Sequence, residues 1–465
     1  MTLRSNSLAD RDIATLVHPY TNLDKHRTDG PRMIRRGKGV RVQDDSGRWY
    51  IEGMAGLWSA SLGFDEPRIV EVASRQLAEL PFYHVFNHAS HEPAVELAER
   101  LLGIAPQGLT KALFANSGSE ANDSAVKLAW YYNNARGRQP KKKIIGRFRG
   151  YHGVTVAAAS LTGQELNHKD WDLPLPGFLH TECPSFYHYA QAGESEEQFA
   201  TRLAQSLEAL ILKEGPETVA AFIAEPVIGG GGVIVPPPTY FAKIQEVLRR
   251  HDILFIADEV ICGFGRTGKM FACETFDLKP DMMTVAKALS ASFLPISAVL
   301  ISEPVHDAML EQSRKLGTFA HGVTYSAHPV CAAVANEVLK IYAERDIIAH
   351  VQKVSPRLQA GLRRLGDHPL IGTTRGIGLI GAVEIARDKR TKEAFAPTDG
   401  VGALAQAKAL ERGIIVRALR GDAIAVCPPL IINEAEIDEL LAGVEGALND
   451  VATILQSKGQ WREAA

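Results

Sequence analysis

Short, almost uninterrupted runs of apolar residues recur through the middle of this chain, and each is bounded by polar residues or glycine. Runs of this kind predict strands that are buried on both faces of a sheet. Helical patterns alternate with them from about residue 70. The sequence therefore predicts an α/β fold with a mostly parallel central sheet and helices on both faces. The predicted strands are Lys111–Ala115, Ile144–Ile145, Ala220–Ala224, Ile253–Ala257, Met282–Val285 and Ile296–Ile301.

The pattern changes towards both ends of the chain. Val40–Gln43 and Trp49–Ile51 flank a turn, which is typical of a hairpin. Beyond residue 330, a predicted helix over Cys331–Tyr342 precedes a smaller set of strands near Gly378–Ile385, Ile414–Arg417 and Ala423–Cys427. We therefore predict an N-terminal segment (1–60) that packs with the small domain, a large domain (61–330) and a small C-terminal α+β domain (331–465).

Composition favours a small-molecule partner. The 465 residues include 51 basic and 54 acidic side chains, so no basic field attracts nucleic acid or an anionic membrane. Five cysteines, never spaced C-x-x-C, exclude a disulfide framework or a thiolate zinc site, and no metal site is predicted. No apolar stretch approaches the ~20 residues of a membrane span. The N-terminus lacks the apolar core of a signal peptide, so we predict a cytoplasmic protein.

A turn rich in serine follows the first predicted strand of the large domain. Ser117, Gly118 and Ser119 precede a predicted helix, where free backbone N–H groups, hydroxyls and the helix dipole could hold an anion such as a phosphate. Serine is also a favoured helix N-cap, so the turn alone leaves both interpretations open.

Two charged residues end later strands at the same predicted edge of the sheet. Asp258 follows Ile253–Ala257, and Lys287 follows Met282–Val285. Ligands of open parallel sheets bind at this edge. A lysine, an acid and an anion-binding turn together resemble a site for pyridoxal phosphate, which needs a lysine for its Schiff base, an acid facing its pyridine nitrogen and donors for its phosphate.

Six segments occur in the order and spacing of one known family. They are Asn116–Asn122, Tyr151–Gly153, Ala224–Pro226, Ile256–Gly268, Ala286–Lys287 and His321–Pro329. Together they resemble the class III aminotransferases of fold type I, over about residues 15–450. Within that family the chain is most similar to the omega-transaminases, also called (S)-selective amine–pyruvate transaminases.

The resemblance implies a role for each matching residue. Lys287 would form the internal aldimine and then carry the proton between the substrate α-carbon and cofactor C4′, a task that suits an amine whose pKa is lowered by burial. Asp258 would pair with the protonated pyridine nitrogen, and Tyr151 would stack on the ring. Gly118 and Ser119 would hold the phosphate. Ser117, His152 and Glu225 complete the implied cofactor site, with Glu225 in a supporting role.

The resemblance also implies a second subunit. Thr324 of the partner subunit would join Gly118 and Ser119 at the phosphate, so the enzyme is expected to be an obligate homodimer with its sites at the interface. Whether dimers pair into tetramers stays open.

The resemblance further implies a mobile arginine that binds the carboxylate of pyruvate or alanine. Arg417 matches that residue, and Arg420 is a rival because this loop is one residue longer than the common form. Gly230 stands where the ornithine and 4-aminobutyrate branch has a glutamate that pairs with the arginine, which points away from a 2-oxoglutarate enzyme of that branch. The implied pocket walls are Tyr20, Leu57, Trp58, Phe86 and Tyr151, each of which could equally be core packing.

The predicted function is transfer of an amino group from a primary amine or an ω-amino acid to pyruvate by a ping-pong mechanism, with pyridoxal 5′-phosphate as cofactor. The alternatives are a 2-oxoglutarate-dependent aminotransferase, another class III activity such as an aminomutase or a decarboxylase, and a non-catalytic binding protein on the same scaffold. The natural amine donor and the enantioselectivity are left open.

Overall fold

The six apolar runs of the large domain form strands whose bounds differ from the predicted ones by at most two residues, and Met282–Val285 matches its prediction. The computed structural model describes residues 7–462. Its strands are β1 (Ile34–Lys38), β2 (Arg41–Asp44), β3 (Trp49–Glu52), β4 (Leu109–Ala115), β5 (Lys143–Arg147), β6 (Phe178–Thr181), β7 (Val219–Ala224), β8 (Leu254–Asp258), β9 (Met282–Val285), β10 (Ser297–Ser302), β11 (Ile371–Ile377), β12 (Ile380–Ile385), β13 (Ile414–Ile415), β14 (Arg417–Leu419) and β15 (Ala423–Val426).

Helices occupy most of the intervening sequence. They are α1 (Leu8–Thr15), α2 (Leu23–Asp29), α3 (Ala55–Trp58), α4 (Pro67–Glu79), α5 (Glu92–Ile104), α6 (Gly118–Ala135), α7 (Val156–Leu161), α8 (Phe186–Tyr189), α9 (Glu196–Glu214), α10 (Tyr240–Arg250), α11 (Ala272–Thr275), α12 (Glu303–Leu316), α13 (Pro329–Glu344), α14 (Ile347–Leu365), α15 (Val401–Glu411) and α16 (Glu434–Ser457). None of the described helices combines the length and apolar character needed to cross a bilayer.

A seven-stranded sheet in the order β4-β10-β9-β8-β7-β5-β6 forms the centre of the fold. The pairs from β6 to β9 are parallel, whereas β10 runs antiparallel to both β4 and β9. The predicted mostly parallel sheet is therefore confirmed, and β10 is its one reversed strand. Sequence analysis did not predict β6.

The central sheet is buried on both faces. Every residue of β7 and β8 is buried. Phe222 and Ala224 belong to one apolar cluster, while the intervening Ile223 belongs to another, which also contains α6 residues. Because successive side chains of a strand point to opposite faces, the two clusters are the two covered faces of the sheet.

The N-terminal hairpin pairs with the C-terminal part of the chain. Strand β3 lies parallel to β13, and the Ile51 N–H donates to the Gly413 carbonyl at 2.9 Å, completing a sheet in the order β1-β2-β3-β13. A third sheet has the order β11-β12-β15-β14. The expected strand at Ile414–Arg417 is split into β13 and β14, and β11 was not predicted. The domain boundaries themselves stay a prediction.

Candidate active site

The carboxyl end of β4 leads directly into α6. Ser117 caps this helix, because its hydroxyl accepts from the Glu120 N–H at 3.2 Å. The Ser119 hydroxyl accepts from the Val154 N–H at 3.1 Å. A Cβ atom at Gly153 would lie 2.4 Å from that hydroxyl, so only glycine allows this close approach. The turn is therefore a capped helix start with an anchored serine hydroxyl, and its role in binding an anion stays a prediction.

The carboxylate of Asp258 is 3% exposed at the end of β8. Its Oδ2 accepts from Asn122 Nδ2 at 2.9 Å and from His152 Nδ1 at 2.7 Å. Its Oδ1 accepts from the Val260 N–H at 3.1 Å. Three donors hold this carboxyl group in place and supply the hydrogen bonds that a buried polar group requires. Sequence analysis missed Asn122, although it lies within a motif that was recognised.

Lys287 follows β9 with a backbone φ of 49°, in the left-handed region. A non-glycine residue pays about 1–2 kcal/mol for this conformation. Burial lowers the pKa of the Lys287 amine, against the opposing influence of Asp258 and Glu225. The strained turn thus presents an amine that loses its proton more easily than an exposed lysine.

Glu225, at the end of β7, joins two loops of the site. Its Oε1 accepts from the Tyr151 N–H and its Oε2 from the Gly229 N–H, both at 2.9 Å. Burial raises the pKa of this carboxyl. Glu225 therefore fixes the backbone of Tyr151 and the start of the glycine loop 229–232.

Two cavities meet at this edge of the sheet. The smaller, of about 140 Å³, is lined by Gly118, Ser119, Asn122, Tyr151, His152, Gly153, Glu225, Asp258, Val260, Ile261 and Lys287. The larger, of about 530 Å³, is lined by Tyr20, Leu57, Trp58, Tyr151, Gln164, Glu165, Leu166, Asn167, Lys169, Gly230, Ile261, Lys287 and Arg417–Arg420. Tyr151, Ile261 and Lys287 line both, so the lysine lies where the two spaces join.

Four of the five predicted pocket walls line the larger cavity, but they differ in exposure. Trp58 is buried, while Leu57 and Tyr20 are exposed at the cavity surface. The Tyr20 hydroxyl lies 3.5 Å from that of Tyr151. Burial raises the pKa of the Tyr151 phenol above its usual range, so the phenol stays neutral.

Phe86, the fifth predicted pocket wall, lines neither of the two cavities, and its ring lies next to Gly322. Its role as a pocket wall stays a prediction. Thr324 is exposed and also lies outside both cavities. Its implied contact with a partner subunit stays a prediction.

Both candidate arginines line the larger cavity. Arg417 is half-buried on β14, paired with Ala425 of β15, and makes no ion pair with a carboxylate among the residues described. Arg420 is exposed in the turn that follows β14. A Cβ atom at Gly230 would lie 3.7 Å from Tyr151 Cβ and 3.9 Å from Gln164 Nε2, so this position has room for a side chain that the sequence does not supply.

A buried ionic network supports these loops and was not predicted from sequence. Arg375 donates to the Gly232 carbonyl at 2.7 Å and to Glu384 Oε2 at 2.6 Å. Arg149 donates to the Gly231 carbonyl at 3.0 Å. Two guanidinium groups therefore donate hydrogen bonds to the backbone of the glycine loop 229–232.

Glu52 is a second functional candidate that sequence analysis missed. Its buried carboxylate accepts from the Gly56 N–H, within the turn that carries Leu57 and Trp58 into the cavity. The φ angles of Ala55, Gly56 and Trp58 are all positive, so the turn is strained and needs this support. In the sequence, Glu52 directly follows the predicted strand Trp49–Ile51, and no pattern there signals its hydrogen bond with Gly56.

Comparison with known proteins identifies the family. A profile described as Aminotransferase class-III matches residues 23–448. The chain is 53% identical over 437 residues to Gamma aminobutyrate transaminase 3, chloroplastic, of Solanum lycopersicum, covering 94% of this chain and 84% of the relative. It is 52% identical to the omega transaminase from Pseudomonas jessenii solved in complex with PMP, with a TM-score of 0.95 over 98% of this chain and 99% of the other. A structure called Transaminase with L-ala is 56% identical, with a TM-score of 0.90 over 91% of this chain and 100% of the other.

The chain belongs to the class III aminotransferases. This confirms the resemblance, the fold type I architecture and the enzyme class predicted from sequence. Enzymes of this family use pyridoxal 5′-phosphate as cofactor, and their substrates are amines and oxo acids.

The smaller cavity fits this cofactor. His152 Nε2 and Asn122 Oδ1 are buried there without a hydrogen-bond partner among the described residues, so the cavity offers polar atoms that a ligand can satisfy. Its lining combines an ionisable lysine, a held carboxylate and the anchored hydroxyl of Ser119. This donor set suits an aldehyde, a ring nitrogen and a phosphate on one molecule.

The raised pKa of Glu52 predicts how the stability of the fold depends on pH. Burial raises that pKa from its ordinary 4.5 to about 7. A carboxyl whose folded-state pKa is raised stabilises the fold at low pH and loses that contribution as pH rises from 4.5 towards 7. We expect Glu52→Gln, which keeps the acceptor for Gly56, to be more stable than the wild type at pH 8 by about 3 kcal/mol at most.

Chemical denaturation at pH 5 and pH 8 measures this effect. Glu259, another buried carboxyl with a pKa of about 7, keeps its own pH dependence in the variant. Equal stability differences between variant and wild type at the two pH values would contradict the assignment to Glu52.

Proposed function

We propose that this enzyme transfers an amino group from a primary amine or an ω-amino acid to pyruvate, giving alanine. The observation that carries the proposal is Arg417, a half-buried cation that lines the larger cavity without a carboxylate partner among the described residues. Gly230 leaves space where a carboxylate could have neutralised it. A small oxo acid supplies the missing anion. Similarity to an omega transaminase and to a transaminase solved with L-alanine supports this choice.

Lys287 and Asp258 carry the chemistry in this proposal. When bound, pyridoxal phosphate supplies the carbon that accepts the amino group and a ring that withdraws electrons from the reacting bond. Lys287 Nζ attaches the cofactor and, once free, moves the proton at the substrate α-carbon. Its lowered pKa favours the neutral amine that this task needs. Asp258 would hold a proton on the ring nitrogen, and its three donors fix the position of its carboxyl group.

The remaining residues bind and orient. Gly118 and Ser119 hold the phosphate at the start of α6, and Tyr151 covers the ring, since it lines both cavities. Ser117 and His152 support the same groups. Thr324 of the partner subunit would join them at the phosphate of a homodimer, and Phe86 would form a wall of the substrate pocket.

Arg417 must serve two kinds of substrate at one place. It faces the carboxylate of pyruvate or alanine in one half-reaction and an uncharged substituent of the amine donor in the other. A guanidinium fits a carboxylate through two parallel hydrogen bonds. A buried cation against an apolar group would be unpaired and costly, so Arg417 turns away when an uncharged donor binds.

A donor with its own carboxylate is a specific candidate. The chain's relatives include an enzyme named for gamma-aminobutyrate, and Arg420 is a second cation lining the larger cavity. Arg420 could hold the distant carboxylate of an ω-amino acid. The same cation could hold the second carboxylate of 2-oxoglutarate, which is the alternative acceptor. The five cysteines are free and buried, and this fits our proposal of a reducing, cytoplasmic location.

Acceptor profiling tests the proposed function. With 4-aminobutyrate or 1-phenylethylamine as donor, we expect the holoenzyme to form alanine from pyruvate with a kcat/KM at least about tenfold above that for glutamate formation from 2-oxoglutarate. The reason is that Arg417 matches one small carboxylate. Chromatography of the two amino-acid products makes the comparison. Preference for 2-oxoglutarate would overturn the proposal.

The role of Asp258 can be tested against a matched carboxylate. We expect Asp258→Asn to lower kcat about 100- to 1,000-fold, the range for loss of one preorganised electrostatic group, and to affect turnover far more than thermal stability. Asp281→Asn is the control, because Asp281 accepts from the Phe255 N–H at 2.8 Å and precedes β9, at the opposite edge of the sheet. Steady-state kinetics at saturating cofactor measures both. Similar losses in the two variants would show a general packing effect instead.

Arg417→Ala should damage the two half-reactions unequally. Losing a charge-assisted contact should cost about 2–5 kcal/mol in pyruvate specificity, or about 30- to several-thousand-fold. The half-reaction with a donor that lacks a carboxylate should change much less. Single-turnover kinetics followed by cofactor absorbance measures each half-reaction.

Arg420→Ala is the matched control for this experiment. We expect it to spare pyruvate and to affect only substrates with a second carboxylate. A selective loss of pyruvate specificity in Arg420→Ala would transfer the role to Arg420, and equal losses in both half-reactions of Arg417→Ala would make Arg417 a scaffold residue.

A further inference from the structure

Three metal-ligating side chains converge in the N-terminal segment, away from the residues that line the two cavities. Asp12 lies on α1, His26 on α2, and His18 in the loop between these helices. Asp12 Oδ1 lies 2.8 Å from His18 Nε2 and 3.1 Å from His26 Nε2. All three donor atoms fall within 4.8 Å of one another. The side chains of Asp12 and His26 are only 13% and 10% exposed.

The spacing of the three donor atoms suits one shared cation. Ligands at 2.0–2.2 Å from a zinc ion lie about 2.9 Å apart at a right angle and about 3.4 Å apart at a tetrahedral angle. The measured separations of 2.8 and 3.1 Å are close to these values. Small movements of the two imidazole rings would place all three donors around one ion.

The surroundings of the cluster also favour a cation. The two imidazole rings lie 4.1 Å apart, and an Nε2 atom of each ring faces the same carboxylate oxygen. Imidazole nitrogen is a common metal ligand. Asp12 pairs only with the two histidines and with no lysine or arginine among the described residues. One carboxylate and two imidazole rings therefore meet in a largely buried place, with no other cation of the described residues paired to the carboxylate.

We propose that Asp12, His18 and His26 form a binding site for a divalent transition-metal ion. Two imidazole nitrogens and one carboxylate oxygen are the ligand types that suit zinc, nickel, copper or iron, rather than calcium or magnesium. Water would complete the coordination on the exposed side, where His18 is 27% exposed.

The position of the site gives the ion a structural effect. The ligands come from both helices that flank the loop 16–22, and this loop carries Tyr20 to the larger cavity. Tyr20 has a φ of 51°, and its hydroxyl makes contacts of 3.5 Å with Tyr151 and Asn167. A bound ion would tie the two helices together and hold the ends of the loop at a fixed separation.

Zinc binding to the untagged holoenzyme tests the proposal. We expect isothermal titration calorimetry to show one Zn²⁺ per chain in the wild type and an affinity more than about tenfold weaker in His26→Gln and in Asp12→Asn. His306→Gln is the matched control, since His306 lies on α12, outside the cluster. Binding that is unchanged in the first two variants, or the absence of any binding by the wild type, would overturn the site.

Two further measurements use the wild type and therefore do not depend on whether a variant folds. Co²⁺ added to the wild type should give visible d–d absorption that Zn²⁺ removes. Zn²⁺ should also slow backbone hydrogen exchange in residues 8–29 and leave α12 unchanged. If Co²⁺ gives no such absorption and exchange in 8–29 does not respond to Zn²⁺, the three side chains are a hydrogen-bonded cluster without a metal.

Discussion

The active-site architecture depends on the hydrogen bonds that hold the buried carboxyl group of Asp258. Burying a charged group is expensive unless hydrogen bonds replace the lost water. The replacements come from Asn122 on α6, from His152 after β5 and from the backbone after β8. Asn122 also donates to the His152 carbonyl at 2.7 Å. The hydrogen bonds around this one carboxyl group thus connect elements that are far apart in the sequence, and the smaller cavity forms between these elements.

Much of this arrangement follows from local sequence signals. The strands that end in Asp258 and Lys287 are continuous apolar runs, and such runs belong in a sheet covered on both faces. The direction of each strand was harder to predict, because β10 runs antiparallel to β4 and β9 and its own residues do not signal this. Strand β6 was missed, since Phe178–Thr181 is short and contains a polar His180.

The parts of the site that escaped prediction depend on long-range contacts. Glu52 belongs to an ordinary strand, and only the folded structure brings its carboxylate to the strained turn at Gly56. Arg375 contacts a glycine loop more than 140 residues away in sequence. Residue type and spacing along the chain do not show which distant residues come into contact in the fold.

Arg417 has no carboxylate partner among the residues described, and this has a practical consequence for anyone who handles the enzyme. A guanidinium without a paired carboxylate attracts small anions in general, whatever their chemistry. Acetate, formate and similar buffer components have a carboxylate but lack the carbon skeleton of an oxo acid. In the proposed reaction they would compete with the oxo acid for Arg417, so we expect the apparent affinity for substrate to depend on the anion of the buffer and on its concentration.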